Sequence, residues 1–361
     1  MKRSILFLAG IISILKINAQ SLPPTAQALY NEFYNNDVGR GQYAINNGAQ
    51  ALATADGKSF YLKWMPTGAT PSLTPLLVTM HGSTGNVFDE FYLWHQKAAA
   101  KGVGIIAMQW YRGAASVSPN DYFEDTVIYR YIDTALKRIK YPSNKAFLHG
   151  FSRGSARSYA IAFYDTRPSI GKNYFCTVLS NSGKPDSVYT LYAQINSGMY
   201  GHSLYNGKRW AMFCGGLDPG VQTACWAMNN AKNWVQLNGG NVGLYISDPN
   251  LGHGGFHQTP AYIDSALNYY LPCFTGNVGI KENVNKNKLD VFPNPCKGSF
   301  EIRCDAEIAD VEIFNTIGQI VYREKINASQ KRITPGLKSG VYFLKIDFGI
   351  ANEMKKIIIE E

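Results

Sequence analysis

The sequence predicts an α/β domain followed by a small all-β domain. Between about Lys58 and Cys273, short apolar runs alternate with segments of helical periodicity. This alternation is typical of a mostly parallel central sheet with helices on both faces. After residue 288 short alternating runs are separated by Gly, Pro and Asn, which predicts a β-sandwich. A chain of 361 residues is long enough for both domains.

Composition and charge narrow the class of protein. Hydrophobic residues make up 45% of the chain and charged residues 17%, so the chain can build a sizeable core. The formal net charge is +9, but the basic residues are scattered along the sequence and never form a run of five or six. A nucleic-acid partner is therefore not predicted.

The first residues have the features of a signal peptide. In "MKRSILFLAGIISILKINAQS", Lys2 and Arg3 precede an apolar run, and Ala19 stands before the expected cleavage point. We assign residues 1–19 to this peptide and expect the protein to be exported. No other stretch approaches the ~20 apolar residues that a membrane helix requires.

Export permits disulfide bonds among the six cysteines, but the sequence does not choose among the many pairings. A bond between Cys296 and Cys304 would close a short loop, although two cysteines on one strand cannot pair. No group of Cys and His residues has the spacing of a zinc site. We therefore expect no metal and no other cofactor.

Residues 20–274 form the predicted α/β domain. A helix is predicted in "DYFEDTVIYRYIDTALKRIK", where Phe123, Val127, Tyr131 and other apolar residues recur at helical spacing. Ligands of such sheets bind at the carboxyl ends of the strands, so the turns after the strands are the expected place for chemistry. The strands are predicted at "SFYLKWM", "PLLVTMHG", "VGIIAMQW", "KAFLHGFS", "FCTVLSNSG", "RWAMFCGG" and "VGLYISD".

One serine lies in such a turn. In "KAFLHGFSRGSARSYAIAFYD", Ser152 stands between a predicted strand and a predicted helix, with Gly150 before it and Gly154 after it. This spacing is typical of a sharp strand-to-helix turn that presents a nucleophilic serine. The alternative is a serine that only caps the helix.

A serine nucleophile requires hydrogen-bond donors for the oxyanion that develops during the reaction. In "LLVTMHGSTGN", a His-Gly turn follows a predicted strand and can direct the backbone N–H of Ser83 or Thr84 toward Ser152. The N–H of Arg153 is the expected second donor. We expect His81 to order this loop rather than to act as a base.

The base and the carboxylate that orients it are expected after later strands. Asp218 in "RWAMFCGGLDPGV" is the candidate acid, and Asp186 and Asp248 are its rivals. His253 in "YISDPNLGHGGFHQT" follows the last predicted strand in a glycine-rich loop and is the candidate base. His257, four residues further on, is the alternative base.

With these motifs in the order serine, aspartate, histidine, residues from about Phe60 to Cys273 resemble the α/β-hydrolase superfamily. More narrowly, they resemble the secreted esterases grouped with feruloyl esterases and polyhydroxyalkanoate depolymerases. The chain departs from that group at Arg153, where a small residue is often seen, and at Ser155, where a second glycine is common.

This resemblance implies a serine esterase that forms an acyl-enzyme and acts on plant-polysaccharide-linked or other extracellular esters. The substrate is then a small or polymer-linked ester. A polyester depolymerase and a peptidase of the prolyl-oligopeptidase kind remain alternatives, as does a catalytically idle surface binding protein.

The tail of the chain carries a second resemblance. Residues 275–288 read "TGNVGIKENVNKNK", which predicts a linker, and residues 289–361 form the predicted sandwich. Its motifs "VFPNPCKGSFEI", "VEIFNTIGQIVY", "LKSGVYFLKI" and "KKIIIEE" resemble the C-terminal sorting domain of type IX secretion. The resemblance implies type IX machinery as a partner and a secreted or cell-surface location. A carbohydrate-binding sandwich is the alternative.

Overall fold

The structure is a computed structural model that describes residues 22–114, 121–275, 289–316, 319–347 and 352–360. The chain divides into two compact units, Met1–Gly276 and Asn277–Glu361. The predicted signal peptide, and the predicted linker apart from its first residue, lie outside the described residues.

The described part of the first unit contains one eight-stranded sheet. Its strands in chain order are β1 (Gln50–Ala53), β2 (Phe60–Trp64), β3 (Leu76–Met80), β4 (Gly104–Met108), β5 (Ala146–Phe151), β6 (Phe175–Asn181), β7 (Arg209–Gly215) and β8 (Asn241–Asp248).

The strand order is β1-β2-β4-β3-β5-β6-β7-β8. The pairs β1–β2 and β2–β4 are antiparallel, and all other neighbours are parallel. This order, with helices connecting the parallel strands, is the α/β-hydrolase fold that the sequence predicts. It aligns the carboxyl ends of β3, β5, β6, β7 and β8 along one edge of the sheet.

Helices connect these strands. Within the described residues they are α1 (Pro24–Asn36), α2 (Val38–Asn46), α3 (Val87–Ala100), α4 (Asp125–Arg138), α5 (Arg153–Thr166), α6 (Thr190–Asn196), α7 (Cys225–Leu237), α8 (Gly255–Gln258) and α9 (Pro260–Thr275). A short 3-10 helix spans Pro71–Leu73. No helix in the described ranges has the length and apolar character needed to cross a membrane.

The sheet is buried on both faces because successive side chains of a strand point in opposite directions. Leu77 packs in a core cluster with Trp94 of α3, whereas the next residue, Val78, packs in a second cluster with Ile132 of α4. Every residue of β3 and of β4 is buried. These fully buried and mostly apolar strands therefore fit the centre of a parallel sheet.

Three elements of this unit lie ahead of the segment, beginning at about Lys58, in which the sequence predicts strands and helices. Strand β1 is short and partly exposed, and α1 buries only Ala26, Leu29 and Phe33. Helix α2 buries only Gly41 and Ala44. Because so few large apolar residues face the core, their sequences carry little periodic signal.

A buried ion pair links the helix after the Ser152 turn to the sheet. Lys208 Nζ lies 2.8 Å from Asp165 Oδ2, and both side chains are almost fully buried. The same carboxylate accepts hydrogen bonds from the hydroxyl of Tyr129 at 2.9 Å and from the amides of Tyr174 and Phe175 at 2.8 and 3.0 Å. Asp165 thus fixes the C-terminal end of α5 to the start of β6.

The named strands of the second unit pair in antiparallel fashion, which confirms the all-β prediction, and Cys296 forms an isolated parallel bridge with Ile359. Strand β10 pairs with β9, β11 and β12, and β12 pairs with β13. The unit has its own apolar core, which includes Phe300, Ile313 and Leu344. Cys296 and Cys304 are both free and buried. The strands are β9 (Asp290–Phe292), β10 (Phe300–Phe314), β11 (Ile320–Ile333), β12 (Gly340–Asp347) and β13 (Asn352–Ile359).

We predict that Asp165→Asn lowers the free energy of unfolding of the first unit by about 3–5 kcal/mol, because it leaves the Lys208 ammonium buried without a counter-charge. Urea unfolding followed by tryptophan fluorescence measures this, since all six tryptophans precede residue 276. The control is Asp264→Asn, which breaks a more exposed pair with Lys97 and should cost less than about 1 kcal/mol. Equal losses for the two variants would contradict the prediction.

Candidate active site

Ser152 occupies the turn between β5 and α5 with an unusual backbone. Its φ is 54° and its ψ is −114°, a conformation that a residue with a side chain rarely adopts. The Ser152 amide donates a hydrogen bond to the carbonyl of Asn181 at 2.8 Å. The Ser152 side chain makes no capping hydrogen bond to the helix. The geometry therefore favours a serine whose hydroxyl is free to contact other residues over the capping alternative.

The glycines on either side of Ser152 are required by close backbone approaches. A Cβ at Gly150 would lie 2.1 Å from the carbonyl oxygen of Gly154, and a Cβ at Gly154 would lie 2.5 Å from that of Met80. A Cβ atom essentially never approaches a non-bonded atom this closely. The turn can therefore pack against β3 only with glycine at both positions.

Ser155, where the resemblance led us to expect a second glycine, is buried, and its hydroxyl donates to the carbonyl of Gly183 at 2.7 Å. Its hydroxyl is thus engaged with the backbone inside the protein.

His253 joins Ser152 to Asp218. The imidazole Nε2 lies 2.8 Å from Ser152 Oγ, and Nδ1 lies 2.7 Å from Asp218 Oδ2. The Asp218 side chain is 3% exposed and that of His253 is 37% exposed. The structure thus brings together the three residues that the sequence predicts, although 101 and 35 positions separate His253 from its two partners.

The turn after β7 holds Asp218. Its Oδ1 accepts hydrogen bonds from the Gly220 amide and from the Thr223 hydroxyl, both at 2.9 Å. Oδ2 is thereby left for His253. Sequence reasoning missed Thr223, whose only signal is its place in the same loop.

A disulfide closes the loop that carries Asp218. Cys214, in β7, is bonded to Cys225, the first residue of α7. The second disulfide, between Cys176 and Cys273, joins β6 to α9. The sequence left these pairings open.

The rival residues have other partners. Asp248 accepts hydrogen bonds from the Asn250 amide and the Tyr262 hydroxyl, and Asp186 accepts one from the Val188 amide. Neither carboxylate contacts His253 in the described structure.

The two other histidines considered, His257 and His81, form no hydrogen bond with Ser152 in the described structure, although His81 lines a cavity with Ser152. His257 lies on α8 with a buried Nε2, and burial lowers its pKa to about 4. His81 is also buried, with a pKa lowered to about 4. Its Nδ1 lies 2.8 Å from the Gly82 carbonyl, and its Nε2 accepts from the Trp110 amide. This arrangement fits the expected loop-ordering role of His81.

Of the three candidate oxyanion donors, Thr84 has an amide that is already hydrogen-bonded in the described structure. Arg153 is the first residue of α5, where backbone N–H groups have no partner within the helix. Ser83 lines the same cavities as Ser152. The Thr84 amide donates to the Tyr122 hydroxyl at 3.0 Å. Ser83 is therefore the better candidate from the loop after β3.

Tyr122 also fixes the side chain of Arg153, whose guanidinium carbon lies 4.2 Å from the centre of the Tyr122 ring. The long basic side chain next to Ser152 is therefore stacked on the Tyr122 ring. Sequence reasoning gave no signal for Tyr122.

Ser152 lies between two cavities. One has a volume of about 370 Å³ and is lined by Arg40, Leu93, Phe151 and His253 among others. The other has a volume of about 260 Å³ and is lined by Arg153, Lys184, Asp186 and Tyr189 among others. Two cavities beside one hydroxyl can hold the two halves of an ester.

One cluster among the described residues has the donor atoms of a metal site. Potential ligand atoms of Glu90, His149 and His257 lie within 4.8 Å of one another. Thr79 is hydrogen-bonded to Glu90 and lies 2.8 Å from His149 Nδ1, so the cluster also forms a polar network. Ser152, His253 and Asp218 are outside this group.

Comparison with protein families identifies the tail. Residues 290–360 match the family described as "Secretion system C-terminal sorting domain", which confirms the resemblance of the tail motifs. The protein is therefore secreted, to the cell surface or beyond, and its tail implies an interaction with the type IX secretion machinery.

Among characterised proteins, the chain is 26% identical over 167 residues to "Ulvan lyase NLR42" of Nonlabens ulvanivorans. This similarity covers 43% of the chain and 29% of that protein. The chain thus spans less than a third of the length of the relative that it matches.

Several solved structures are similar to the chain. A bifunctional GH43-CE protein of Bacteroides eggerthii has a TM-score of 0.47 and 15% identity, covering 62% of this chain and 37% of that one. A fungal esterase of Rhizomucor miehei has a TM-score of 0.47 and 13% identity, covering 70% and 98%. Esterase B of Lactobacillus Rhamnosis has a TM-score of 0.48 and 13% identity, covering 69% and 93%. Similarities of this size do not establish an activity.

We predict that replacing both Cys214 and Cys225 by alanine lowers the free energy of unfolding of the first unit by about 2–4 kcal/mol, because the disulfide restricts the unfolded chain. Tryptophan fluorescence during urea unfolding again measures the change. The matched control replaces the free pair Cys296 and Cys304, which lies in the other unit, and should leave this transition unchanged. A loss of the same size in both double variants would be evidence against the prediction.

Proposed function

We propose that the first unit is a serine carboxylic-ester hydrolase. The observation that carries the proposal is the continuous hydrogen-bonded path from Asp218 through His253 to Ser152 Oγ. A serine hydroxyl is a weak nucleophile, and acyl transfer requires a base beside it and a group that orients the base. Along this path the His253 imidazole is the base and Asp218 orients it.

The proposed reaction begins with attack by Ser152 Oγ on the carbonyl carbon of the ester. His253 Nε2 accepts the hydroxyl proton, while Nδ1–H donates to Asp218, which holds the ring in the productive tautomer and stabilises the imidazolium. The negative charge on the carbonyl oxygen is stabilised by the N–H groups of Arg153 and Ser83.

The tetrahedral intermediate then collapses. The bond to the alcohol oxygen breaks, His253 returns its proton to that oxygen, and an acyl-enzyme remains on Ser152. A water molecule, deprotonated by His253, attacks the acyl carbon by the same route. The acid leaves and Ser152 regains its proton, so the cycle consumes one water and one ester.

The proposed substrates are extracellular esters, in the first place acyl groups linked to plant polysaccharides, such as feruloyl and acetyl groups. Export supports this class, because the enzyme meets its substrate outside the cell. The two open cavities beside Ser152 support an ester whose two halves are both of moderate size. The hydrogen-bonded path at Ser152 makes a purely binding role the weaker alternative.

We predict that Ser152→Ala and His253→Ala each lower kcat for 4-nitrophenyl acetate by about 10⁶-fold, because nucleophile and base act as one unit. Asp218→Asn should lower it by roughly 10⁴-fold, because the imidazole loses its orienting charge. Initial-rate kinetics on the folded variants, checked by circular dichroism, measure these effects.

The matched controls are Ser187→Ala and His202→Ala, whose side chains are exposed, and both should keep full activity. A greater loss of activity in His257→Ala than in His253→Ala would assign the base to His257 and refute the assignment.

A comparison of kcat/KM among methyl ferulate, acetylated xylan, a polyester and a peptide amide tests the substrate class. It should favour the first two.

A further inference from the structure

The two cavities beside Ser152 differ in charge. In the larger cavity, Arg40 is ion-paired with both Asp37 and Asp89. In the smaller cavity, Arg153 and Lys184 both line the wall. Within the described residues, neither of these two cations lies within 4.0 Å of a carboxylate. The smaller cavity therefore presents positive charge that no acidic side chain neutralises by direct contact.

Both cations are held by aromatic rings rather than by acids. The Arg153 guanidinium carbon lies 4.2 Å from the centre of the Tyr122 ring, and Lys184 Nζ lies 5.8 Å from the centre of the Trp226 ring. An aromatic face positions a cation without using its N–H groups. Those groups are consequently available to a ligand with acceptor oxygens.

Backbone contacts place Lys184 close to the reacting atoms. Its amide donates to the Gln222 carbonyl at 3.0 Å, and its neighbour Gly183 accepts the hydrogen bond from Ser155 in the first turn of α5. Lys184 therefore belongs to the same edge of the sheet as Ser152.

Asp186 is the one acidic side chain among the residues that line this cavity. It accepts a hydrogen bond from the Val188 amide and forms no ion pair with either cation in the described structure. Two positive side chains and one negative side chain leave the lining with a net positive charge, which attracts an anionic group.

We propose that the smaller cavity selects esters in which one half carries a carboxylate, such as the acyl esters of acidic sugars. This inference rests on the proposed esterase function and adds the class of substrate. Arg153 and Lys184 bind the substrate carboxylate by charge-assisted hydrogen bonds, and the reacting carbonyl then lies over Ser152.

The test compares pairs of esters that differ in charge. One pair places the carboxylate on the acyl half, as in mono-4-nitrophenyl glutarate against 4-nitrophenyl pentanoate. The other pair places it on the alcohol half, as in an acetylated methyl galacturonoside against the acetylated methyl galactoside. In at least one pair, kcat/KM should be about 10-fold or more higher for the anionic ester, the factor expected for a hydrogen bond between charged groups.

Lys184→Gln should remove most of this preference, because it should raise KM for the anionic ester far more than KM for its neutral partner. Lys172→Gln, at an exposed lysine outside the cavity lining, is the matched control and should keep the preference. Addition of 0.5 M NaCl should weaken the preference of the wild type, because salt screens partly exposed charges.

Equal kcat/KM for the anionic and neutral members of both pairs would overturn the proposal, and so would a preference that survives in Lys184→Gln. Failure of the esterase assignment itself gives a different result, since no ester of either pair would then be hydrolysed.

Discussion

The candidate site depends on the strained turn at Ser152. A positive φ at a residue with a side chain costs about 1–3 kcal/mol, and the surrounding structure must supply that free energy. The hydrogen bond from the Ser152 amide to the Asn181 carbonyl and the close backbone packing of Gly150 and Gly154 hold the turn. The consequence is a hydroxyl that projects beyond the end of β5, where side chains from later strands can reach it.

The parallel sheet explains how distant residues meet at this hydroxyl. The carboxyl ends of β5, β7 and β8 lie on one edge, so the turns that follow these strands are neighbours in space. Asp218 and His253 follow β7 and β8, and the disulfide between Cys214 and Cys225 closes the first of these turns. Each turn has the partners that fix its own functional atom, as Thr223 does for Asp218.

The local patterns of the sequence predict much of this arrangement. The "GFSRG" turn can be predicted because the backbone of such a turn requires glycine on either side of the serine. All the residues involved lie within five consecutive positions. The strands β3 to β7 can be predicted because both faces of a parallel sheet are buried, so these strands consist of short runs of mostly apolar residues. The sorting domain can be predicted because its motifs resemble those of a known family, and the family match confirms this resemblance.

Other features depend on contacts that no short segment encodes. Asp186 and Asp218 follow strands and Asp248 ends one, so the sequence does not choose among them. The structure does, because His253 is hydrogen-bonded to Asp218. The choice between Ser83 and Thr84 depends on the hydroxyl of Tyr122, which is distant in sequence. The cysteine pairs and the helices α1 and α2 likewise depend on packing that periodicity does not report.

Covalent labelling tests the central claim most directly. The intact protein is treated with a serine-reactive fluorophosphonate, and the adduct is located by mass spectrometry of its peptides. The account predicts a single adduct on Ser152 and greatly slowed labelling in His253→Ala, because the hydroxyl then lacks its base. An adduct on another serine, or a folded wild-type protein that remains unlabelled, would contradict it.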